Sequence, residues 1–261
     1  MHTIRNYIMA ESLEQAWELN QKGRNNIIIG GNLWLKMGRR NIINAIDLSS
    51  LGLDKIEEDE GGFRIGCMAT LHDIETHEGL NKEFQNLFKE AVRHIVGVQF
   101  RNCATIGGSI FPKLGFSDVL TAFLACDTQV ILYKKGEVPL REFIYMPLDN
   151  DILTHIYVKK DGRKTAYESF RMTETDFPTL TCAMAMVDGR FETVLGARPK
   201  HAEVVIDEEL ADSLSKEDVA SYAKRVIDKL QYGSNIRGSK QYRKQLSKVL
   251  ISRCISRLTE E

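Results

Sequence analysis

Two glycine pairs in apolar settings constrain this chain more than anything else in it. The first closes the run Ile27-Ile28-Ile29-Gly30-Gly31-Asn32; the second closes G-V-Q-F-R-N-C-A-T-I-G-G-S-I, from Gly97 to Ile110. Each pair lacks the Cβ atoms that hold a ligand off the backbone, and each exposes amide N–H groups able to grip an anion. Taken singly, either pair is equally well a tight strand-to-helix turn. Together they point to a long cofactor with a doubly charged middle. Asn32, Thr105 and Ser109 set polar side chains beside them, and a buried diphosphate needs several convergent donors. A helix opening at Leu33 would add its N-terminal partial charge.

The bulk properties exclude several classes. At 261 residues the chain suits one large domain or two modest ones. A net charge of −1 favours neither nucleic acid nor a membrane surface. Its five cysteines are scattered without a C-x-x-C pair, which argues against a disulfide framework and against a zinc or iron–sulfur site built here. The opening M-H-T-I-R-N-Y has no apolar run of signal length, and the longest apolar stretch, around Val119 to Cys126, is too short to span a bilayer. A reducing cytoplasm is the expected compartment.

Periodicity predicts a helix over Ala10 to Leu19 capped by Ser12, a strand over Ile27 to Ile29, a short helix over Leu33 to Lys36 and a strand over Asn44 to Asp47. These form a small β-α-β unit. Further strands are expected at Gly61 to Gly66, Gln129 to Tyr133 and Ile152 to Val158, with helices at Thr70 to Thr76, Phe84 to Val96 and Val119 to Ala125. Beyond a boundary near Asp161-Gly162, three strands turn at Asp188-Gly189, and helices run from Lys216 to Leu230 and from Ser239 to Leu258. Lys134-Lys135-Gly136 reads as an exposed turn.

Other motifs fail. Gly61-Gly62-Phe63-Arg64-Ile65-Gly66 has the wrong spacing for a dinucleotide fingerprint, and in Gly233 to Lys240 the lysine follows the serine instead of preceding it. His72 and His77 are too far apart for one helix face. Cys103 has no histidine at partner spacing and reads as a small buried thiol.

The strings I-I-I-G-G-N-L-W-L-K and V-G-V-Q-F-R-N-C-A-T-I-G-G-S-I closely resemble the FAD-binding subunit of the molybdenum hydroxylases, the family of xanthine dehydrogenase and carbon monoxide dehydrogenase. The likeness continues at Ser117-Asp118, at Ile152-Leu153-Thr154 and at Arg237-Gly238-Ser239-Lys240-Gln241-Tyr242-Arg243. It implies an α+β fold: a vanillyl-alcohol-oxidase-type FAD-binding domain over residues 1–160, with subdomains of about 1–52 and 53–160. A small C-terminal domain of three-stranded sheet plus helices would occupy 161–261. By position, Ile27, Ile28, Ile29, Gly30, Gly31, Asn32, Leu33 and Trp34 would line one side of the cofactor. Thr105, Ile106, Gly107, Gly108 and Ser109 would hold its diphosphate. Asp118 would accept from sugar hydroxyls, and Ile95, Leu153 and Arg171 would touch the flavin or adenine ends.

Three of these have ordinary readings as well: Trp34 as packing between the first helix and the sheet, Asp118 as a helix cap, Arg171 as a surface or interface arginine. The chain also departs from relatives with Ser109 in place of Asn, Asn32-Leu33 in place of Thr-Asp, and Arg171 in place of Lys. No residue stands out as a covalent attachment point, so FAD is expected to be non-covalent. The resemblance further implies electron transfer from 2Fe–2S clusters on a partner iron–sulfur subunit, fed by a molybdenum-cofactor subunit, to NAD⁺ or another acceptor through FAD. No acid or base of this chain is assigned to catalysis. Two alternatives remain open here: a free-standing flavin-dependent NAD(P)H reductase, and a flavin-free assembly subunit.

Overall fold

The computed structural model describes residues 3–207 and 215–259. In chain order the elements are β1 (Thr3–Met9), α1 (Leu13–Gln21), β2 (Asn26–Ile29), β3 (Asn41–Asp47), β4 (Ile56–Glu58), β5 (Gly62–Gly66), α2 (Leu71–Thr76), α3 (Glu78–Glu83), α4 (Leu87–Val92), α5 (Val98–Arg101), α6 (Ile106–Ile110), α7 (Asp118–Leu124), β6 (Thr128–Leu132), β7 (Gly136–Pro139), α8 (Leu140–Phe143), β8 (Leu153–Lys159), β9 (Lys164–Phe170), β10 (Leu180–Val187), β11 (Arg190–Gly196), β12 (Glu203–Ile206), α9 (Lys216–Lys229) and α10 (Lys240–Thr259). They fall into two compact units that interleave along the sequence. The first takes residues up to Asp73, Val98–Pro112 and Thr128–Val158; the second takes Ile74–Gly97, Lys113–Asp127 and the chain from Lys159.

The first unit begins with a three-stranded parallel sheet in the order β1-β3-β2. Ile29, Ile42 and Ala45 form a small core there, with Ile4, Ile27 and Leu35 packed on it. A polar ladder crosses the same sheet: Asn6 Nδ2 donates to Asn44 Oδ1 and Asn44 Nδ2 to Asn26 Oδ1, both at 3.0 Å, and Asn26 Nδ2 donates to the Leu19 carbonyl at 2.6 Å. Because strand side chains alternate faces, a slip of one residue would break every rung, so the ladder fixes register. Ser12 caps α1 by accepting from Gln15 N at 3.1 Å, as its sequence position predicts.

The expected helix at Leu33 to Lys36 is not formed. A three-residue 3-10 turn, Leu35–Met37, replaces it. The helix of the β-α-β unit is α1, between β1 and β2, while residues 30–40 carry the chain from β2 back to its parallel neighbour β3. Parallel neighbours need about a dozen connecting residues, and so irregular a link leaves backbone groups free of helical bonding.

A five-stranded sheet, β4-β5-β8-β6-β7, completes the first unit. The turn at its β6–β7 hairpin is tied down by Asp151, whose carboxylate accepts from the N–H groups of Lys134 and Lys135 (both 3.1 Å) and Ile152 (2.8 Å).

The second unit holds an antiparallel sheet, β12-β11-β10-β9, against α9 and α10. It has four strands where three were expected; β12 is a short edge strand beside β11. Cys182, Met184, Tyr222, Val226, Ile251 and Cys254 are among its core. Asp188 and Gly189 both take positive φ (49° and 75°) at the β10–β11 turn, the backbone a two-residue hairpin favours. The helix expected over Phe84 to Val96 is shorter, because Gln85 and Asn86 are left-handed (φ 45° and 62°) and split α3 from α4. Gly233 to Lys240 is no phosphate loop: the buried Arg243 guanidinium donates to the Gly233 carbonyl (3.1 Å), the Gly238 carbonyl, Thr179 O (2.9 Å) and Asn235 Oδ1 (2.6 Å).

Candidate functional site: the loop after the second strand

The backbone leaves β2 at Ile29 and enters four residues without protein hydrogen-bond acceptors. Among the described residues, the N–H groups of Gly30, Gly31, Asn32 and Leu33 donate to no protein atom. Asn32 is left-handed, φ 57°, a conformation its short amide tolerates better than most side chains. Its Oδ1 is buried and accepts no hydrogen bond. Successive amides bent through a left-handed residue form a concavity for an anion. An orphaned buried oxygen beside them is costly, roughly 1–3 kcal/mol, unless a ligand hydroxyl or amine meets it. These residues fit a diphosphate with a hydrogen-bond donor attached.

The two glycine pairs do converge, within the first unit. A Cβ at Gly30 would run into Thr105 Oγ1, and one at Gly31 into the Cys103 carbonyl oxygen. The first pair is therefore glycine because segment 103–105 lies directly against it. The second pair contributes less free backbone than its sequence implies. Gly107 N donates to the Cys67 carbonyl at 2.8 Å, and Gly108 N to Thr105 Oγ1 at 3.2 Å. Ser109 Oγ donates to the Thr105 carbonyl at 2.9 Å, so its proton is also taken. Gly108 alone faces open space: a Cβ there would meet nothing within 4 Å except Thr105 Oγ1 at 3.1 Å. Sequence reasoning missed Cys67, whose carbonyl occupies the Gly107 amide; no local pattern marks so distant an acceptor.

In the second unit, Asp118 and Arg171 form a buried ion pair, Nη2 to Oδ2 2.7 Å, with side chains 5 % and 6 % exposed. Tyr167 Oη donates to the other carboxylate oxygen at 2.6 Å. Arg171 also donates to Ser169 Oγ at 2.6 Å and to the Asp176 carbonyl at 3.1 Å. Asp118 does not cap α7; Ser117 does, accepting from Leu120 N at 3.0 Å. Nor is Arg171 a surface residue. Burial pushes the Asp118 carboxyl up from its usual range, while Arg171 and the Tyr167 hydroxyl pull it back. Burial works against the Arg171 charge, but Asp118 outweighs it and holds the guanidinium's pKa above the ordinary value. Tyr167 is driven well up, by burial and then by the Asp118 charge. Tyr167 carried no sequence signal, since it lies 49 residues from its partner.

The other expected positions divide. Ile29, Ile106 and Leu153 are buried at 6 %, 0 % and 5 %; their side chains are core, leaving only backbone for a ligand. Ile27 packs on the same small core as Ile29, and Ile28 and Ile95 are half-buried. Trp34 stands edge-on to Phe100 of α5, centroids 5.1 Å apart. Cys103 is exposed rather than buried, and its carbonyl lies against Gly31.

Among the described residues no helix is long and apolar enough to cross a membrane. Over its length the chain is 26 % identical to the glyceraldehyde dehydrogenase medium chain of Sulfolobus acidocaldarius, covering 94 % of each. It is 25 % identical to the 6-hydroxypseudooxynicotine dehydrogenase complex subunit alpha of Paenarthrobacter nicotinovorans, over 96 % of this chain and 93 % of that one. Its fold matches a chain of the carbon monoxide dehydrogenase from Hydrogenophaga pseudoflava with a TM-score of 0.85 at 23 % identity, covering 97 % and 96 %. Residues 2–158 match the model of the FAD binding domain in molybdopterin dehydrogenase. The chain belongs to that family of FAD-binding domains.

Proposed function

We propose that this chain is the flavoprotein subunit of a multi-subunit molybdenum hydroxylase, binding FAD non-covalently with its diphosphate on the amides of Gly30 to Leu33. The observation that carries the assignment is that four-residue run of unbonded amides, with the orphaned Asn32 oxygen beside it. The matching subunits of dehydrogenase complexes, a medium chain and a subunit alpha, support a role within a larger assembly. FAD supplies reversible two-electron chemistry that also proceeds in single-electron steps, which suits exchange between iron–sulfur clusters and NAD⁺ or another acceptor. The iron–sulfur and molybdenum centres belong on partner subunits in this reading.

The chain's own residues bind and orient. Gly30 and Gly31 let the loop lie against segment 103–105, while Gly108 leaves room on the adjoining surface. Thr105, through its Oγ1, keeps the Gly108 turn in place. Asp118, held by Arg171 and Tyr167, is the acceptor this reading assigns to a sugar hydroxyl. Arg171, fixed by three partners, sets a permanent positive charge that favours an electron-rich neighbour. Trp34, Ile95 and the backbone at Leu153 supply apolar contact. The family domain covers residues 2–158.

Gly108→Val tests the site. An added Cβ meets only Thr105 Oγ1, so the variant is expected to fold with wild-type circular dichroism and to lose flavin on purification. Full FAD occupancy in a folded Gly108→Val protein would remove the assignment.

A further inference from the structure

In a parallel sheet all strands start at one edge, and here that edge is strongly basic. Arg24 precedes β2, Arg39 and Arg40 precede β3, Arg5 lies near the start of β1, and Lys22 ends the turn out of α1. All five are exposed, and none forms an ion pair among the described residues. The segments before β2 and β3 are tied to each other: Arg40 donates through Nη2 to the Arg24 carbonyl, and Ile43 N donates to Asn25 O at 2.8 Å. In a chain of net charge −1 this is a local concentration. Next to it the 3-10 turn carries Met37, 70 % exposed, in the sequence Lys36-Met37-Gly38-Arg39.

The patch does not belong to the cofactor loop. Gly30 to Leu33 follow the carboxyl end of β2, whereas these cations cluster at the amino ends of the same sheet. With β3 seven residues long, about 3.3 Å per residue puts roughly 20 Å between the edges. That is about two and a half Debye lengths at physiological salt.

We propose that this edge docks a carboxylate-rich protein surface, with Met37 as its apolar contact. Arginine and methionine together are the side chains protein interfaces enrich, and unpaired rim charges of one sign steer an oppositely charged partner. Three strands make an edge only about 10 Å across, narrow for the groove that tracks a nucleic-acid backbone. The inference stands on this sheet edge alone and does not depend on flavin binding.

Fluorescence anisotropy of a fluorescein-labelled Glu/Leu copolymer peptide, titrated with the full chain, tests it. Binding at low salt that fades by about 0.5 M salt is expected. Arg24→Glu/Arg39→Glu/Arg40→Glu should weaken it on the order of tenfold or more. The control Arg190→Glu/Lys216→Glu/Lys248→Glu, matched in charge and elsewhere on the surface, should leave binding within about twofold. Met37→Ser should cost about threefold or more. Circular dichroism checks that each variant is folded. Equal losses in both triple variants, no effect of Met37→Ser, or tighter patch-dependent binding of oligouridylate or phosphatidylserine vesicles would each overturn the proposal.

Discussion

Replacing Arg171 by methionine removes the countercharge of a buried carboxylate while keeping most of the side chain's volume. The 2.7 Å ion pair to Asp118 disappears, and with it the hydrogen bonds to Ser169 and Asp176. Asp118 then keeps the Tyr167 hydroxyl but no countercharge. Breaking one side of a buried pair costs about 3–5 kcal/mol, a large share of a total that is about 5–15 kcal/mol for a folded domain. The cost should depend on pH, and its sign is determined. Burial already raises the Asp118 carboxyl and Arg171 opposes that rise, so the variant's folded pKa climbs further above its unfolded value. A raised folded pKa gives stability that is present at low pH and lost as pH rises through that pKa. The deficit of Arg171→Met relative to wild type is therefore expected to be largest near pH 8 and smaller near pH 5.5, in urea melts with unchanged m-values. Adding Asp118→Leu should recover much of the loss at pH 8, since the stranded charge is gone. An identical deficit at both pH values, or no recovery in the double variant, would refute a buried charge pair as the cause.

Gly31→Ala adds a methyl group that cannot rotate away from the Cys103 carbonyl; about 1–3 kcal/mol of stability should go. Gly23→Ala meets nothing within 4 Å and should be neutral or stabilising by up to about 1 kcal/mol, and thermal melts compare the two directly. Arg243→Met leaves the Gly233, Gly238 and Thr179 carbonyls short of a donor. Limited proteolysis should then cut first within 233–238, at a rate wild type does not show.

Capping and turn chemistry were legible because they are local. Ser12, Asp188-Gly189 and the helix from Lys216 stand where their residue types place them. The first strand escaped notice because β1 is mostly exposed on both faces, so Thr3 to Met9 shows no buried stripe. The Phe84 to Val96 periodicity continues through Gln85 and Asn86 although both backbones turn left-handed, an event that hydrophobic spacing does not register. The glycine loops show a subtler limit. Their convergence follows from paired missing Cβ atoms, but which amides stay free depends on Cys67 and Thr105. Tertiary partners decided that the first loop, with its left-handed asparagine, is the open one.

Hydrogen exchange at Gly30, Gly31, Asn32 and Leu33, followed by NMR on the purified chain with and without FAD, probes these amides one by one. Strong slowing at all four on flavin binding, with little change at Gly107, whose amide is already bonded to Cys67, is the expected result. Saturating FAD that leaves the four exchanging as fast as in the flavin-free chain would contradict the diphosphate site.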